Sequence, residues 1–113
     1  MSPITTHILD TTAGRPAAGV SVQLDFQTTD GWESIGEGRT NDDGRVTDLL
    51  DTDHPLLVGT YRISFEIGEY FVRRDVEAFY PSASIIFSVR ATDEHYHVPL
   101  LLNPYGYSTY RGS

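Results

Sequence analysis

Two histidines near the end of the chain stand two residues apart. His95 and His97 flank Tyr96, and alternate residues of a β-strand point to opposite faces. On a strand the two imidazoles therefore share one face, and the other face is apolar. The residues of that apolar face are Tyr96, Val98, Leu100 and Leu102. Pro99 falls on the histidine side, which fits an edge position or a bulge, so we expect the histidines to lie where this sheet meets solvent or another subunit.

Three interpretations of the histidine pair are open from the residues alone. Both rings could ligate zinc together with a third residue such as His7, because imidazole is a favoured zinc ligand. One neutral imidazole could instead act as a general base, since the pKa of histidine lies near the usual operating pH. The pair could also be inert at the surface. His7 shares a strand face with Thr5 and Leu9, which by itself is typical of a solvent-facing strand histidine.

Arg45 follows a strong turn signal, the segment 41–44 with the sequence Asn-Asp-Asp-Gly. Glycine can take the left-handed conformation that ends such a turn and starts a new strand. The guanidinium would then lie near the end of a sheet. It could pair loosely with Asp42 or Asp43, an exposed ion pair that contributes little to stability. Alternatively, it could bind a carbonyl, a carboxylate or a developing oxyanion.

The last four residues combine a phenol, a fixed cation and the terminal carboxylate. They are Tyr110, Arg111, Gly112 and Ser113. Terminal segments are poorly ordered unless they are tied down, and disordered tails usually lack aromatic residues. Because the final nineteen residues hold two histidines and four tyrosines, we expect this segment to be part of the fold and a candidate site.

Alternation of apolar and polar residues recurs along the chain and predicts short strands. Turn signals rich in Gly, Pro, Asn and Asp separate them. Many short strands with regular turns indicate a sandwich, and only the segment from about Ile67 to Arg74 loses the alternation and predicts a short helix. The predicted strands cover residues 4–9, 20–26, 32–40, 61–67, 84–89, 95–102 and 107–111.

Length and composition narrow the class of protein. The 113 residues, without repeat or linker, predict a single domain over residues 1–113. A net charge of -8 disfavours nucleic acid as a partner, and all eight basic residues are arginine, so no lysine exists for Schiff-base chemistry. No cysteine is present, and neither a membrane span nor a signal segment is recognisable. We expect a cytoplasmic protein that does not contact membranes.

Four segments together resemble the transthyretin-related family, and within it the hydrolase branch. They are Thr-His-Ile-Leu-Asp at 6–10, Asn-Asp-Asp-Gly-Arg at 41–45, His-Tyr-His-Val-Pro-Leu-Leu-Leu at 95–102 and the ending Tyr-Ser-Thr-Tyr-Arg-Gly-Ser at 107–113. The resemblance spans almost the whole chain. In the hormone carriers of this family, a lysine matches His7, an acidic residue matches Arg45 and the terminal tetrapeptide is missing, so the resemblance favours the hydrolases.

The resemblance implies an all-β fold, a transthyretin-like sandwich of two four-stranded sheets with one short helix. It also implies a homotetramer built as a dimer of dimers, with active sites in a channel between the dimers. The implied reaction is hydrolysis of 5-hydroxyisourate to 2-oxo-4-hydroxy-4-carboxy-5-ureidoimidazoline in urate degradation, without a metal or other cofactor. A carrier of small aromatic ligands, without catalysis, is the alternative.

The resemblance also assigns roles to individual residues. It implies catalytic roles for His7, Arg45 and His97, and it favours His97 over His95. The terminal residues are implied to bind the substrate, and these are Tyr110, Arg111, Gly112 and Ser113.

Overall fold

The alternating segments fold into two β-sheets that pack face to face, in a computed structural model that describes residues 2–51 and 53–113. The first sheet contains β1 (Ile4–Asp10), β2 (Arg15–Pro16), β5 (Arg45–Val46), β8 (Tyr96–Asn103) and β9 (Gly106–Thr109). The second sheet contains β3 (Ser21–Thr28), β4 (Gly31–Arg39), β6 (Gly59–Phe65) and β7 (Ala83–Val89). One helix, α1, spans Ile67–Arg73.

The two sheets differ in how their strands pair. The second sheet has the order β4-β3-β6-β7 and is antiparallel throughout. The first has the order β2-β1-β8-β9, with the two-residue strand β5 pairing β1 as well. Within it β1 and β8 are parallel, and their register runs from Ile4 opposite Tyr96 to Asp10 opposite Leu102. This pairing joins the beginning of the chain to its end.

The core lies between the sheets and contains every second residue of the central strands. Ile4 and Ile8 of β1 are fully buried there, and burying one such side chain contributes roughly 1.5–3 kcal/mol. The rings of Tyr61 and Phe26 pack within it at 4.9 Å between centroids. Since one face of the first sheet supplies this core, the side chains that alternate with it face outward.

The helix is fixed to the first sheet by a buried hydrogen bond. The Tyr70 hydroxyl donates to Oδ2 of Asp10 at 2.7 Å, and Oδ1 of Asp10 accepts the backbone N–H groups of Thr12 and Ala13. Burial and then this hydrogen bond raise the pKa of Tyr70 to about 12, so its hydroxyl stays protonated at neutral pH.

The predicted fold class is confirmed as a sandwich with one short helix, and the predicted strands match the seven long ones to within a few residues. The structure also contains the two-residue strands β2 and β5, which were not predicted. Two residues are too few to show an alternating pattern of apolar and polar side chains. Among the described residues, no helix is long and apolar enough to cross a membrane. The single-domain expectation stays a prediction.

Candidate active site

Three strand pairings bring the sequence-predicted residues onto the outward face of the first sheet. His7 lies opposite Arg45 in the antiparallel pairing of β1 with β5. Thr5 lies opposite His97 in the parallel pairing of β1 with β8. Because residues directly opposite one another on neighbouring strands point to the same side, these four side chains share one surface. We call this surface the histidine face, defined by Thr5, His7, Arg45 and His97.

Arg45 is placed beside His7 by the turn that precedes it. Gly44 has φ +75°, and a Cβ there would lie 2.5 Å from the carbonyl oxygen of Ile8. The position therefore requires glycine for both its conformation and its close approach to β1. The Asn41 side chain closes the turn, since its Oδ1 accepts the N–H groups of Asp43 and Arg45 at 2.9 and 3.1 Å. The exposed Arg45 side chain thus starts from a fixed backbone.

Thr5 contacts both histidines of the terminal pair. Its Oγ1 lies 2.8 Å from Nδ1 of His97 and 2.9 Å from Nε2 of His95. Thr5 is 6% exposed, whereas His95 is exposed. From the sequence alone, Thr5 is predicted to share a strand face with His7, and no local signal gives it a role. Its proximity to His97 depends on the register of β1 against β8, for which the local pattern holds no signal.

The chain end lies against the His97 ring and extends the pairing of β8 with β9. The Gly112 N–H donates to the His97 carbonyl at 2.9 Å, and the Thr109 hydroxyl donates to the Pro99 carbonyl at 2.7 Å. A Cβ on Gly112 would lie 2.5 Å from Cδ2 of His97 and 3.2 Å from Cγ of Pro99. Gly112 is therefore the residue type that lets the tail approach the imidazole.

The remaining terminal residues are less closely joined to this cluster. Arg111 donates from Nη2 to Oε1 of Glu94 at 3.0 Å, and its guanidinium lies 4.6 Å from the ring centroid of Tyr96. Tyr96 is buried on the core face of β8, so Arg111 lies on the opposite side of the sheet from the imidazoles. Tyr110 is 59% exposed, and Ser113 is exposed at the end of the chain.

Both imidazoles of the histidine face favour the neutral form. Burial lowers the pKa of His7, and the Arg45 cation lowers it further. Burial also lowers the pKa of His97, with additional contributions from Arg45, His7 and His95. At neutral pH each ring therefore has one unprotonated nitrogen, which is the protonation state from which a general base acts.

The zinc interpretation receives no support from the arrangement of side chains within one chain. Across residues 2–51 and 53–113, no group of three or more His, Asp or Glu side chains is arranged to hold a metal ion. His95 and His97 direct ring nitrogens at a threonine hydroxyl instead.

The family follows from comparison with known proteins. The sequence profile of the HIUase/Transthyretin family matches residues 4–112. The chain belongs to this family. The 5-hydroxyisourate hydrolase of Halalkalibacterium halodurans is 46% identical over 116 residues, which cover 97% of each protein. The resemblance stated from the sequence is thereby confirmed.

Two solved structures with different names share the fold of this chain. The 5-hydroxyisourate hydrolase of Klebsiella pneumoniae superposes with a TM-score of 0.84 at 37% identity, covering 97% of this chain and 98% of that chain. Sea bream transthyretin in complex with thyroxine superposes with a TM-score of 0.89 at 30% identity, covering 98% of this chain and 95% of that chain. Because the transthyretin and the hydrolase share one backbone fold, differences in function within this family depend on side chains.

The influence of Arg45 on the two imidazoles is testable by titration. We expect Arg45→Gln to raise the pKa of His7 and His97 toward the ordinary value of 6.5, because it removes a cation that disfavours the imidazolium. NMR titration of histidine side chains labelled with 15N measures both values. Arg39→Gln is the matched control, since Arg39 is exposed on β4 and donates to the Gly19 carbonyl. Unchanged titration in Arg45→Gln would show that the guanidinium does not act on these rings.

The contact between the tail and His97 is testable at Gly112. Gly112→Ala places a methyl group 2.5 Å from the His97 ring, so we expect the ring or the tail to move, at a cost of about 1–3 kcal/mol. The thermal midpoint at fixed protein concentration and the His97 ring shifts in NMR measure the two effects. Gly106→Ala is the control, because its nearest neighbour would be 3.7 Å away. If both variants behaved alike, the tail would not be packed on His97.

Proposed function

We propose that this protein hydrolyses 5-hydroxyisourate, opening its six-membered ring with water. The observation that carries the proposal is the histidine face, where two imidazoles with lowered pKa stand beside the permanent cation of Arg45. The names of its relatives support the same substrate. The hydrolases of Halalkalibacterium halodurans and Klebsiella pneumoniae match nearly the full chain at 46% and 37% identity.

In the proposed mechanism a neutral imidazole, His97 or His7, takes a proton from water as the water attacks the ring carbonyl. General-base catalysis of this kind contributes roughly 100- to 10,000-fold. The tetrahedral intermediate then collapses, the ring C–N bond breaks, and the imidazolium returns its proton to the leaving nitrogen. The product is 2-oxo-4-hydroxy-4-carboxy-5-ureidoimidazoline, with a new carboxylate and a ureido group. No metal or other cofactor takes part.

Arg45 is proposed to bind the substrate and stabilise the oxyanion. Its guanidinium is charged at every relevant pH and presents several donors in one plane. A donor aimed at a developing oxyanion is worth about 2.7–4 kcal/mol in comparable sites. The same cation lowers the pKa of both histidines, which keeps them ready to accept a proton.

The tail is proposed to complete the substrate pocket. Gly112 lies against His97, and Tyr110 lines a small cavity together with His97 and residues of β7. The terminal carboxylate of Ser113 comes directly after Gly112 in the chain. Arg111 contacts Glu94 and Tyr96 within its own chain, and its substrate-binding role stays a prediction, as does the cytoplasmic location.

We also propose the homotetramer, because one edge of the sandwich carries exposed apolar side chains. β7 and β9 each end a sheet, and residues of both line the same small cavity. Unpaired edges present free N–H and C=O groups that invite a partner. Exposed apolar residues surround them, and these are Phe79, Tyr80, Ile86, Tyr105 and Tyr107. The ring of Tyr80 packs against the rings of both Phe79 and Tyr107, and an exposed apolar cluster of this kind is typical of an interface.

Sedimentation velocity tests the assembly. We expect a particle of about four times the 12.6-kDa chain, and we expect Phe79→Arg to dissociate it by placing a charge in the apolar surface, of which Phe79 is 69% exposed. Ser34→Arg is the control, because Ser34 is exposed on β4 at the opposite edge of the second sheet. A monomeric wild-type protein would contradict the homotetramer.

Hydrolase activity is tested with 5-hydroxyisourate that urate oxidase generates from urate in the assay mixture. We expect the protein to accelerate the decay of the 5-hydroxyisourate absorbance, and His97→Asn to reduce that rate roughly 100- to 10,000-fold while the assembly persists. His54→Asn is the control, since Nδ1 of His54 bonds the Pro55 carbonyl outside the histidine face.

The same assay separates the second candidate function. A carrier of small aromatic ligands, which the superposition on thyroxine-bound sea bream transthyretin favours, would leave the decay of 5-hydroxyisourate unchanged. Unchanged decay with wild-type protein would therefore reject the hydrolase.

A further inference from the structure

The contact of Thr5 with two histidines constrains where their protons lie. Its Oγ1 is 2.8 Å from Nδ1 of His97 and 2.9 Å from Nε2 of His95, and the threonine is 6% exposed. A hydroxyl has one proton to donate and two lone pairs to accept with. The two ring nitrogens therefore cannot both accept from Thr5.

Two arrangements satisfy every group. In the first, Nδ1–H of His97 donates to Thr5, and Thr5 donates to Nε2 of His95. In the second, both directions are reversed, so that Thr5 donates to Nδ1 of His97. If both rings donated instead, the hydroxyl proton would be left without either partner, and an unsatisfied buried donor is strongly disfavoured.

Only the first arrangement gives His97 a free basic nitrogen. Its Nδ1 is occupied by Thr5 in both cases, so a proton from water has to be taken by Nε2. In the first arrangement Nε2 is unprotonated and can accept. In the second, neutral His97 carries its proton on Nε2 and is not a base there. The direction of one hydrogen bond thus decides whether His97 can act.

We propose that Thr5 is a positioning residue that holds the His97 proton on Nδ1, with His95 as the acceptor that fixes the direction of the Thr5 hydroxyl. This rests on the proposed hydrolysis and deepens it, because it assigns the base to His97 and names the two groups that fix its tautomer. When Nε2 of His97 takes the proton from water, Nδ1–H keeps its hydrogen bond to Thr5. The imidazolium is therefore formed without losing a partner.

The position of His95 agrees with this division of roles. It is exposed and borders the histidine face through its Nε2 contact with Thr5, while Thr5 stands between the two rings. His97 itself is half-buried beside Arg45, His7 and the tail. An orienting hydrogen bond on the far nitrogen of a working histidine is a recurring device that sets which nitrogen carries the proton. For histidines that bind a metal, loss of such a partner typically costs about 10- to 100-fold, and we expect a similar size of effect here.

The direct test is the tautomer of His97, read from the side-chain 15N shifts of the full-length protein. We expect the Nδ1–H form in the wild type and in Thr5→Ser, which keeps the hydroxyl. In Thr5→Val, which cannot accept, we expect the proton to move to Nε2. Thr6→Val is the matched control, because Thr6 is also buried and its hydroxyl donates to the Val98 carbonyl on the core face. It should lose stability without changing the His97 tautomer.

Kinetics supply the second readout in the assay coupled to urate oxidase. We expect Thr5→Val to lower kcat/KM about 10- to 100-fold and Thr5→Ser to restore most of it. An Nε2–H tautomer in the wild type would overturn the proposal and leave His7 as the base. An unchanged Nδ1–H tautomer in Thr5→Val would also overturn it, because Thr5 would then not be what holds the His97 proton. Wild-type protein without hydrolase activity would instead reject the proposed function, whereas the NMR spectra would still report the hydrogen bond.

Discussion

The parallel pairing of β1 with β8 is the interaction on which the rest of the site depends. It joins residues more than ninety positions apart and sets Thr5 beside His97. β5 then adds Arg45 on the other side of β1, and the tail adds Gly112 beyond β8. A shift of this register by one residue would turn each side chain of one strand to the other face. The buried Ile4 and Ile8 on the core face prevent such a shift, so the hydrophobic core fixes the geometry of the polar face.

The chemistry of the histidine face follows from placing one permanent cation among neutral bases. An isolated imidazole on a strand is half-protonated near pH 6.5, and no neighbouring group fixes which of its two nitrogens carries the proton. Burial and Arg45 shift His7 and His97 toward the neutral form. Because folding lowers these two pKa values, protonation below pH 6.5 opposes the folded state. Stability and the proposed base function therefore both favour neutral or higher pH.

The same sandwich also occurs in sea bream transthyretin, which superposes with a TM-score of 0.89, slightly above the 0.84 of the Klebsiella pneumoniae hydrolase. The course of the backbone therefore does not distinguish a 5-hydroxyisourate hydrolase from a transthyretin that binds thyroxine. The difference must lie in side chains on the outward face of one sheet, where the core imposes no packing constraint. A fold held by its inner faces leaves these positions free to acquire new chemistry.

The sequence by itself determined the strands and the short helix, because a period of two and its loss are local signals. The family resemblance carried by four segments of the sequence singled out His7, Arg45 and His97 as candidate residues. Tertiary structure alone decided that Thr5 bridges His95 and His97, that Gly112 must lack a side chain to approach His97, and that Arg111 lies across the sheet from the imidazoles. These depend on strand order and register. Such non-local pairings are set by how the whole core packs, and no local pattern encodes them.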